Sequence, residues 1–432
     1  MLNSAATQAG ATQEEWVARS QKVLPAGGFG NFDPSIIIRE GHGARVRDEN
    51  GKEYVDYLIG SGPMILGHDH PEVVEAIREQ AGHGLTFFAS NRHGIELAEV
   101  ICHAVPCAEQ LRYVSTGGEA DMYAMRLARA HTGREKILKF EGGYHGMSAE
   151  ALISVFPDRL ENYPNGVPDS AGISEKIRDG VLVAPYNDED VVRQILDEKG
   201  EEIAAVIVEP LQRLIPAAPG FLQMLRDETR KRGIILIFDE VVTGFRLAYG
   251  GAQELYGVVP DLCTLGKIIG GGCPLAAIAG SKDIMAHFDK SIVGRDGFML
   301  QIGTLSGNPL AAAAGLKTLE ILRRPGAYER LRGHGEAIMV MLRQALDPLG
   351  VAYRIVGDPV LFDVVFTDRV VQNYRDVGAG NAGLNARFNG ALRERGILKS
   401  PGKIYPSLAL TNEDLSWTAD AIKFAAGRLS DC

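Results

Sequence analysis

Lys267 is the residue whose setting most demands a chemical explanation. It lies in Leu265-Gly266-Lys267-Ile268-Ile269-Gly270-Gly271-Gly272, and no other charge occurs between Asp261 and Lys282. Burying a free ammonium is costly unless it is paired, neutralised or used covalently. A desolvated lysine has a depressed pKa and attacks carbonyl carbon. The alternative is a lysine whose head reaches solvent along its own stem. The glycines are not a nucleotide phosphate loop, because the lysine precedes them and no Lys-Ser or Lys-Thr pair follows. Two apolar runs end in acids: Ile234–Phe238 in Asp239-Glu240, and Ala205–Val208 in Glu209. Pro210 then stops the second run, having no N–H to donate. If the runs are strands of an open parallel sheet, their acids reach the edge where ligands bind and meet a cationic group there. A helix N-cap or a surface acid is the other explanation.

Two further segments suit a ligand. Ser115-Thr116-Gly117-Gly118-Glu119-Ala120 precedes a helical run, Ala120–His131, closed by Gly133. Hydroxyls and glycines at a helix start leave N–H groups free for an anion such as phosphate. An ordinary Ser/Thr cap has the same appearance. Phe140-Glu141-Gly142-Gly143-Tyr144-His145-Gly146 follows another apolar run. Its glycines permit a sharp turn that presents Tyr144 and His145, and an aromatic ring there can stack on a flat ligand.

The elements needed to position these groups are also visible. Residues 13–24 have the pattern of an amphipathic helix, stopped by Pro25-Ala26-Gly27-Gly28. Residues 44–58 have the pattern of a hairpin, with Asn50-Gly51 as a two-residue turn. From about residue 90, helical stretches alternate with the apolar runs Lys136–Phe140, Ala204–Val208, Ile234–Phe238 and Leu275–Ala279. Such runs suit strands buried on both faces of a parallel sheet, which makes the core α/β. From about residue 311 the chain is helix-rich with a few strands and reads as a second domain, with the change near Pro309.

Taken together, these pieces resemble the class III aminotransferases, most closely glutamate-1-semialdehyde aminomutase. The likeness is carried by Gly62-Pro63-Met64-Ile65-Leu66-Gly67-His68, Ser115–Ala120, Lys139–Gly146, Val208–Gln212, Phe238–Gly251, Leu265–Lys267 and Gly303–Leu310, and spans residue 15 onward. It implies the aspartate aminotransferase-like fold of pyridoxal-phosphate-dependent transferases. That fold has a mostly parallel sheet in a large domain and a smaller α+β domain. The corresponding division is an N-terminal segment 1–60 packing with the small domain, a large cofactor domain 61–310, and a small domain 311–432. The resemblance implies pyridoxal 5′-phosphate held by Lys267 as a Schiff base, with pyridoxamine 5′-phosphate as the amino-carrying form. Asp239 would pair with the pyridinium nitrogen, Val241 lie under the ring and Tyr144 over it, with His145 beside it. Thr116, Gly117 and Gly118 would bind the phosphate. Gln212 would sit near the ring hydroxyl, and Glu209 would support this part of the site. Thr304 would reach the neighbouring subunit's phosphate, implying a homodimer with shared sites. Freed Lys267 would move a proton between substrate and cofactor carbons.

The chain departs from the aminomutase pattern where a substrate carboxylate is held. Pro25–Pro34 contains no arginine, Ser61 replaces a tryptophan, Gly118 replaces a frequent threonine, and Lys399-Ser400-Pro401-Gly402-Lys403 replaces an acidic position. These changes point to a transaminase for another amine or amino acid, with a keto acid as acceptor. Phe29, Phe32 and Ser61 would shape the substrate side. Arg213 or Lys403 would recover a carboxylate contact, unless both are solvated surface charges. The alternatives are a 2,1-aminomutase, which moves the amino group within one molecule, and a non-catalytic protein that binds the cofactor.

Composition bounds the partners. The 432 residues suffice for a large domain and a smaller one. A net charge of −10 disfavours nucleic acid and anionic lipid as partners. No apolar run approaches the about 18 residues of a membrane helix. Met1–Glu14 lacks the basic and apolar segments of a secretory signal. Cys102, Cys107, Cys263, Cys273 and Cys432 include no CxxC pair. They suggest free thiols in the cytoplasm and no metal site.

Overall fold

The computed structural model describes residues 11–429, so Cys432 lies outside the described residues. Its centre is a seven-stranded sheet. In chain order its strands are β1 (Gln110–Val114), β2 (Lys136–Phe140), β3 (Val181–Ala184), β4 (Ile203–Val208), β5 (Ile235–Glu240), β6 (Leu262–Leu265) and β7 (Ala276–Gly280). Their order across the sheet is β1-β7-β6-β5-β4-β2-β3. The pairs β6–β5, β5–β4, β4–β2 and β2–β3 are parallel, whereas β7 runs antiparallel to both β6 and β1. The run Leu275–Ala279 is therefore a strand, shifted by one residue, but not a parallel one. Between β6 and β7 the chain makes only a 3-10 turn, Lys267–Gly270. That connection is too short for the crossover a parallel neighbour requires.

Period-two geometry sorts the buried strands onto two faces. Ala205, Ile207, Ile235 and Ile237 join a core with Ala120, Ala124 and Met125 of the helix Gly117–Thr132. Val206, Val208, Leu236 and Phe238 join the larger core on the other side. The same alternation sends Asp239 and Glu209 toward the helix Gly117–Thr132, and Glu240 to the opposite face.

Glu240 is accordingly a structural acid. Its carboxylate accepts from the Ala252 N–H (2.5 Å), Gln253 Nε2 (3.0 Å) and Thr243 Oγ1 (3.1 Å). Burial pushes its pKa from 4.5 up to about 7 against those donors. A raised carboxyl contributes stability that is full below pH 4.5 and lost as pH rises through about 7. Wild type should therefore lose on the order of 3 kcal/mol of stability relative to Glu240→Gln across that window. Denaturant unfolding of both proteins at pH 4.5 and 8 measures it.

The N-terminal helix is Gln13–Val23, started by a Thr12–Glu15 capping box. The hairpin pairs Arg45–Asp48 with Glu53–Asp56. Its turn is not the two-residue form. Four residues, 49–52, connect the strands, because the Asp48 carboxylate accepts from the Asn50 and Lys52 N–H groups (3.0 and 2.9 Å). Ile397–Leu398 adds a parallel strand beside Glu53–Asp56. Val55 and Tyr57 enter a second core with Leu342, Phe362, Phe388 and Ala425. The helix Pro309–Leu322 belongs to the first core, packing on Pro71–His83, Arg92–Ala104 and the Lys267 turn. No helix among the described residues is long and apolar enough to cross a membrane.

Candidate active site

The carboxyl ends of β1, β2, β4, β5 and β6 lie at one edge of the sheet. Thr116–Gly118, Tyr144–His145, Glu209, Asp239 and Lys267 follow or end those strands, so five separate segments converge.

Lys267 begins the 3-10 turn after β6 with φ +49°, a left-handed conformation costly for a side chain of this size. Its amine has no hydrogen bond or ion pair among the described residues. Burial pulls its pKa below the usual lysine range, with Tyr405 opposing. Gly62 leaves the required space. A Cβ there would lie 3.3 Å from Tyr405 Cε1 and 3.4 Å from Lys267 Cδ.

Asp239 is 4% exposed and firmly held. Its Oδ2 lies 2.7 Å from His145 Nδ1, and its Oδ1 accepts from the Val241 N–H at 3.0 Å. Behind it the Thr264 hydroxyl donates to Asp121 Oδ1 at 2.6 Å and lies 3.5 Å from Asp239 Oδ1. Burial, then the charge of Asp239, pushes the Asp121 carboxyl well above the carboxylate range. Burial beside a second acid thus pushes Asp121 toward its protonated form. Asp121 was not apparent from the sequence. The available signal was an acid on the apolar helix stripe of Ala124, Met125 and Ala128.

Tyr144 is half-buried, and its N–H donates to Glu209 Oε2 at 2.9 Å. Gln212 Nε2 donates to the Glu141 carbonyl at 2.8 Å. Gln212 Oε1 and His145 Nε2 are buried without a partner, both beside the missing side chain of Gly143. Glu141 ties the following loop to Arg375. It accepts Tyr163 Oη (2.8 Å) and a two-pronged contact from Arg375 (2.7 and 3.0 Å).

At the helix start, the Thr116 hydroxyl accepts the Glu119 N–H at 3.2 Å, so that side chain serves as the helix cap. The N–H groups of Gly117 and Gly118 have no acceptor among the described residues, which leaves the anion-binding donors of a helix N-terminus. A Cβ on Gly117 would come within 2.6 Å of Val241 Cγ1, and one on Gly118 within 3.0 Å of Gly146 Cα. Close packing therefore explains the glycine at 118. Gly146 has φ +88°, and a Cβ on it would lie 2.3 Å from Gly118 Cα. Gly146→Ala should cost on the order of 3 kcal/mol, combining backbone strain with overpacking. Calorimetry would show the lowered unfolding temperature.

The substrate-side residues divide. Phe32 does not shape the site: it packs with Val46, Tyr54 and Leu398, and Arg393 lies 5.7 Å over its ring. An aromatic in a short apolar turn found a hydrophobic patch under the N-terminal sheet instead. Phe29 is 86% exposed and turns outward. Ser61 (φ +64°) adjoins Gly62 and is exposed. Thr304 is exposed on a loop that Gln301 ties to Arg112 and to the Tyr113 carbonyl. Arg213 and Lys403 are half-buried, so neither is a freely solvated charge. Arg213 lies 5.5 Å from the Tyr144 ring and 5.0 Å from the Phe156 ring.

Tyr405 and Arg246 were not apparent from the sequence. Arg246 is 1% exposed and donates to the carbonyls of Gly62 (2.5 Å), Val360 (3.3 Å) and Pro406 (3.5 Å). It stacks 5.1 Å from the Tyr405 ring and so holds Gly62 and Tyr405 against Lys267. Its contacts come from segments far apart in the chain, which no local pattern reveals.

The chain is similar to known proteins over most of its length. Residues 30–425 match the family described as Aminotransferase class-III. The chain is 42% identical over 392 residues to glutamate-1-semialdehyde 2,1-aminomutase 2 of Brevibacillus brevis, covering 89% of this chain and 90% of that protein. The structure superposes on an omega-transaminase from Sphaerobacter thermophilus with a TM-score of 0.90, at 33% identity over 97% and 98% of the two chains. It superposes on a transaminase with PLP bound with a TM-score of 0.87, at 30% identity over 98% and 99%. A parallel-sheet edge carrying a strained lysine and a buried Asp–His pair, with relatives matched over nearly their full length, makes this chain an enzyme of the class III aminotransferase family.

Proposed function

We propose that the enzyme transfers an amino group from an amine or amino acid to a keto acid, with pyridoxal 5′-phosphate held at Lys267. The observation that carries this reading is the pairing, at one sheet edge, of an unpartnered, pKa-depressed lysine with an Asp–His pair. The residues present fit that cofactor. The free Gly117 and Gly118 N–H groups suit its phosphate, Asp239 its ring nitrogen, and Gln212 Oε1 with His145 Nε2 its ring substituents. When bound, the cofactor supplies an electron sink for the carbon that loses a proton.

The chain's own residues do the rest. Lys267, its pKa lowered by burial, would carry the proton between the substrate carbon and the cofactor carbon. Asp239, braced by His145 and the Val241 N–H, opposes the positive charge of the ring. Tyr144 would cover one face of the ring and Val241 the other. Thr304 and its exposed loop would serve a partner copy in a homodimer. The free thiols among the described residues suit a cytoplasmic enzyme.

A 2,1-aminomutase is the second reading, favoured by the 42% identical relative. Spectral titration separates the two. A donor amine should bleach the visible absorbance of the holoenzyme, and pyruvate or 2-oxoglutarate should restore it. Turnover that requires no added acceptor would replace transamination by aminomutation.

A further inference from the structure

Arg213 occupies the first position of a two-residue hairpin turn, between the paired strands Leu211–Gln212 and Ile215–Pro216. Its φ is +61°, where glycine or asparagine is expected. A residue held in this conformation stores strain, and such outliers concentrate at functional positions. From this turn the guanidinium lies 5.5 Å from the ring of Tyr144 and 5.0 Å from that of Phe156. Among the described residues it makes no hydrogen bond and no ion pair. Lys403 is close enough for its charge to be felt there. The Lys403 amine also lacks an acceptor, and lies 5.9 Å from the Tyr405 ring. The Tyr405 hydroxyl is a third donor: the residue is 1% exposed and its oxygen has no partner.

Partly desolvated cations are ordinarily paired with carboxylates. Here one cation lies beside the Tyr405 ring and within electrostatic reach of a second, and burial together with Arg213 pulls Lys403 down to about 8. The nearby acids are already engaged, Glu209 by the Tyr144 N–H and Asp239 by His145. The cluster lacks an anion, and a carboxylate matches the fork of an arginine.

We propose that Arg213, with Lys403 and the Tyr405 hydroxyl, forms the subsite for a substrate carboxylate, so that the preferred donors are amino acids rather than simple amines. This rests on the amino-transfer reading for its donors, but the subsite itself can be tested without turnover.

The experiment compares matched donors that differ only in carboxylate against methyl: alanine with isopropylamine, and 3-aminobutyrate with sec-butylamine. In wild type kcat/KM favours the acids. In Arg213→Gln and in Lys403→Gln the acid-to-amine ratio falls by about 10- to 100-fold, mainly through the KM of the acid. Calorimetric titration of the holoenzyme with propionate, which carries no amine, should lose affinity in the same variants. Arg213→Gly is the control for folding. It relieves the left-handed strain, so it should keep the wild-type unfolding temperature while losing propionate binding. Unchanged acid preference and unchanged propionate affinity in these variants overturn the subsite. Propionate binding that depends on Arg213, in an enzyme that transfers from neither member of any pair, leaves the subsite standing and defeats amino transfer.

Discussion

Lys267→Ala lowers amino transfer by about 10⁴-fold or more, because one side chain supplies both the nucleophile and the proton carrier. Burial lowers the pKa of Lys267, which favours the neutral, nucleophilic amine, and its left-handed turn sets the side chain near Tyr405. Alanine removes the amine but none of the groups that would hold the cofactor: the Gly117 and Gly118 N–H donors, Asp239 and Tyr144 remain. The variant should therefore bind pyridoxal 5′-phosphate reversibly and lose it on dialysis. Single-turnover assays with and without added cofactor measure both effects. Retention of more than about a hundredth of wild-type activity would mean that another base moves the proton.

Asp239→Asn lowers kcat by about 10³-fold. Breaking a buried charged pair typically costs 3–5 kcal/mol, which sets this scale. Asparagine keeps the shape but cannot oppose the ring's positive charge, and it leaves His145 without its carboxylate. Asp121→Asn is the contrasting case. Burial pushes Asp121 toward its protonated form, which the amide resembles. Its cost should be no more than about fivefold, the scale of one neutral hydrogen bond. Steady-state kcat at saturating cofactor distinguishes the two. Equal losses would contradict this division of roles, and a larger loss in Asp121→Asn would reverse it.

These predictions rest on residues that differ in how plainly the sequence shows them. Asp239 and Glu209 were legible because each ends a buried apolar strand, and strand polarity then dictates the edge they reach. Lys267 was legible from the long uncharged stretch around it. Strand direction was less so. The apolar run at 275–279 has the composition of a parallel strand, and only the short connection after Lys267 reverses it. Glu240 and Asp239 look alike in sequence but face opposite sides of the sheet, one capping a helix and one facing the site. Where Phe32 packs was not legible, because an aromatic in a glycine-rich turn carries no mark of which patch it will cover. Tyr405, Arg246 and Asp121 act through contacts between distant segments. Arg213 stood out only as a charge, and its strained turn and aromatic flanks emerge in three dimensions.

The central claim is that Lys267 carries the cofactor. Burial lowers three lysines, to about 7 for Lys139, to about 8 for Lys403, and also Lys267. Lys139 already donates to the carbonyls of Ala151 and Ile153, and Lys403 lies on the Arg213 side. The most direct test is borohydride reduction of the holoenzyme followed by peptide mass spectrometry. The phosphopyridoxyl mass should appear on the peptide containing Lys267 and on no other. Its appearance on Lys139 or Lys403, or its absence from every peptide, would contradict the account.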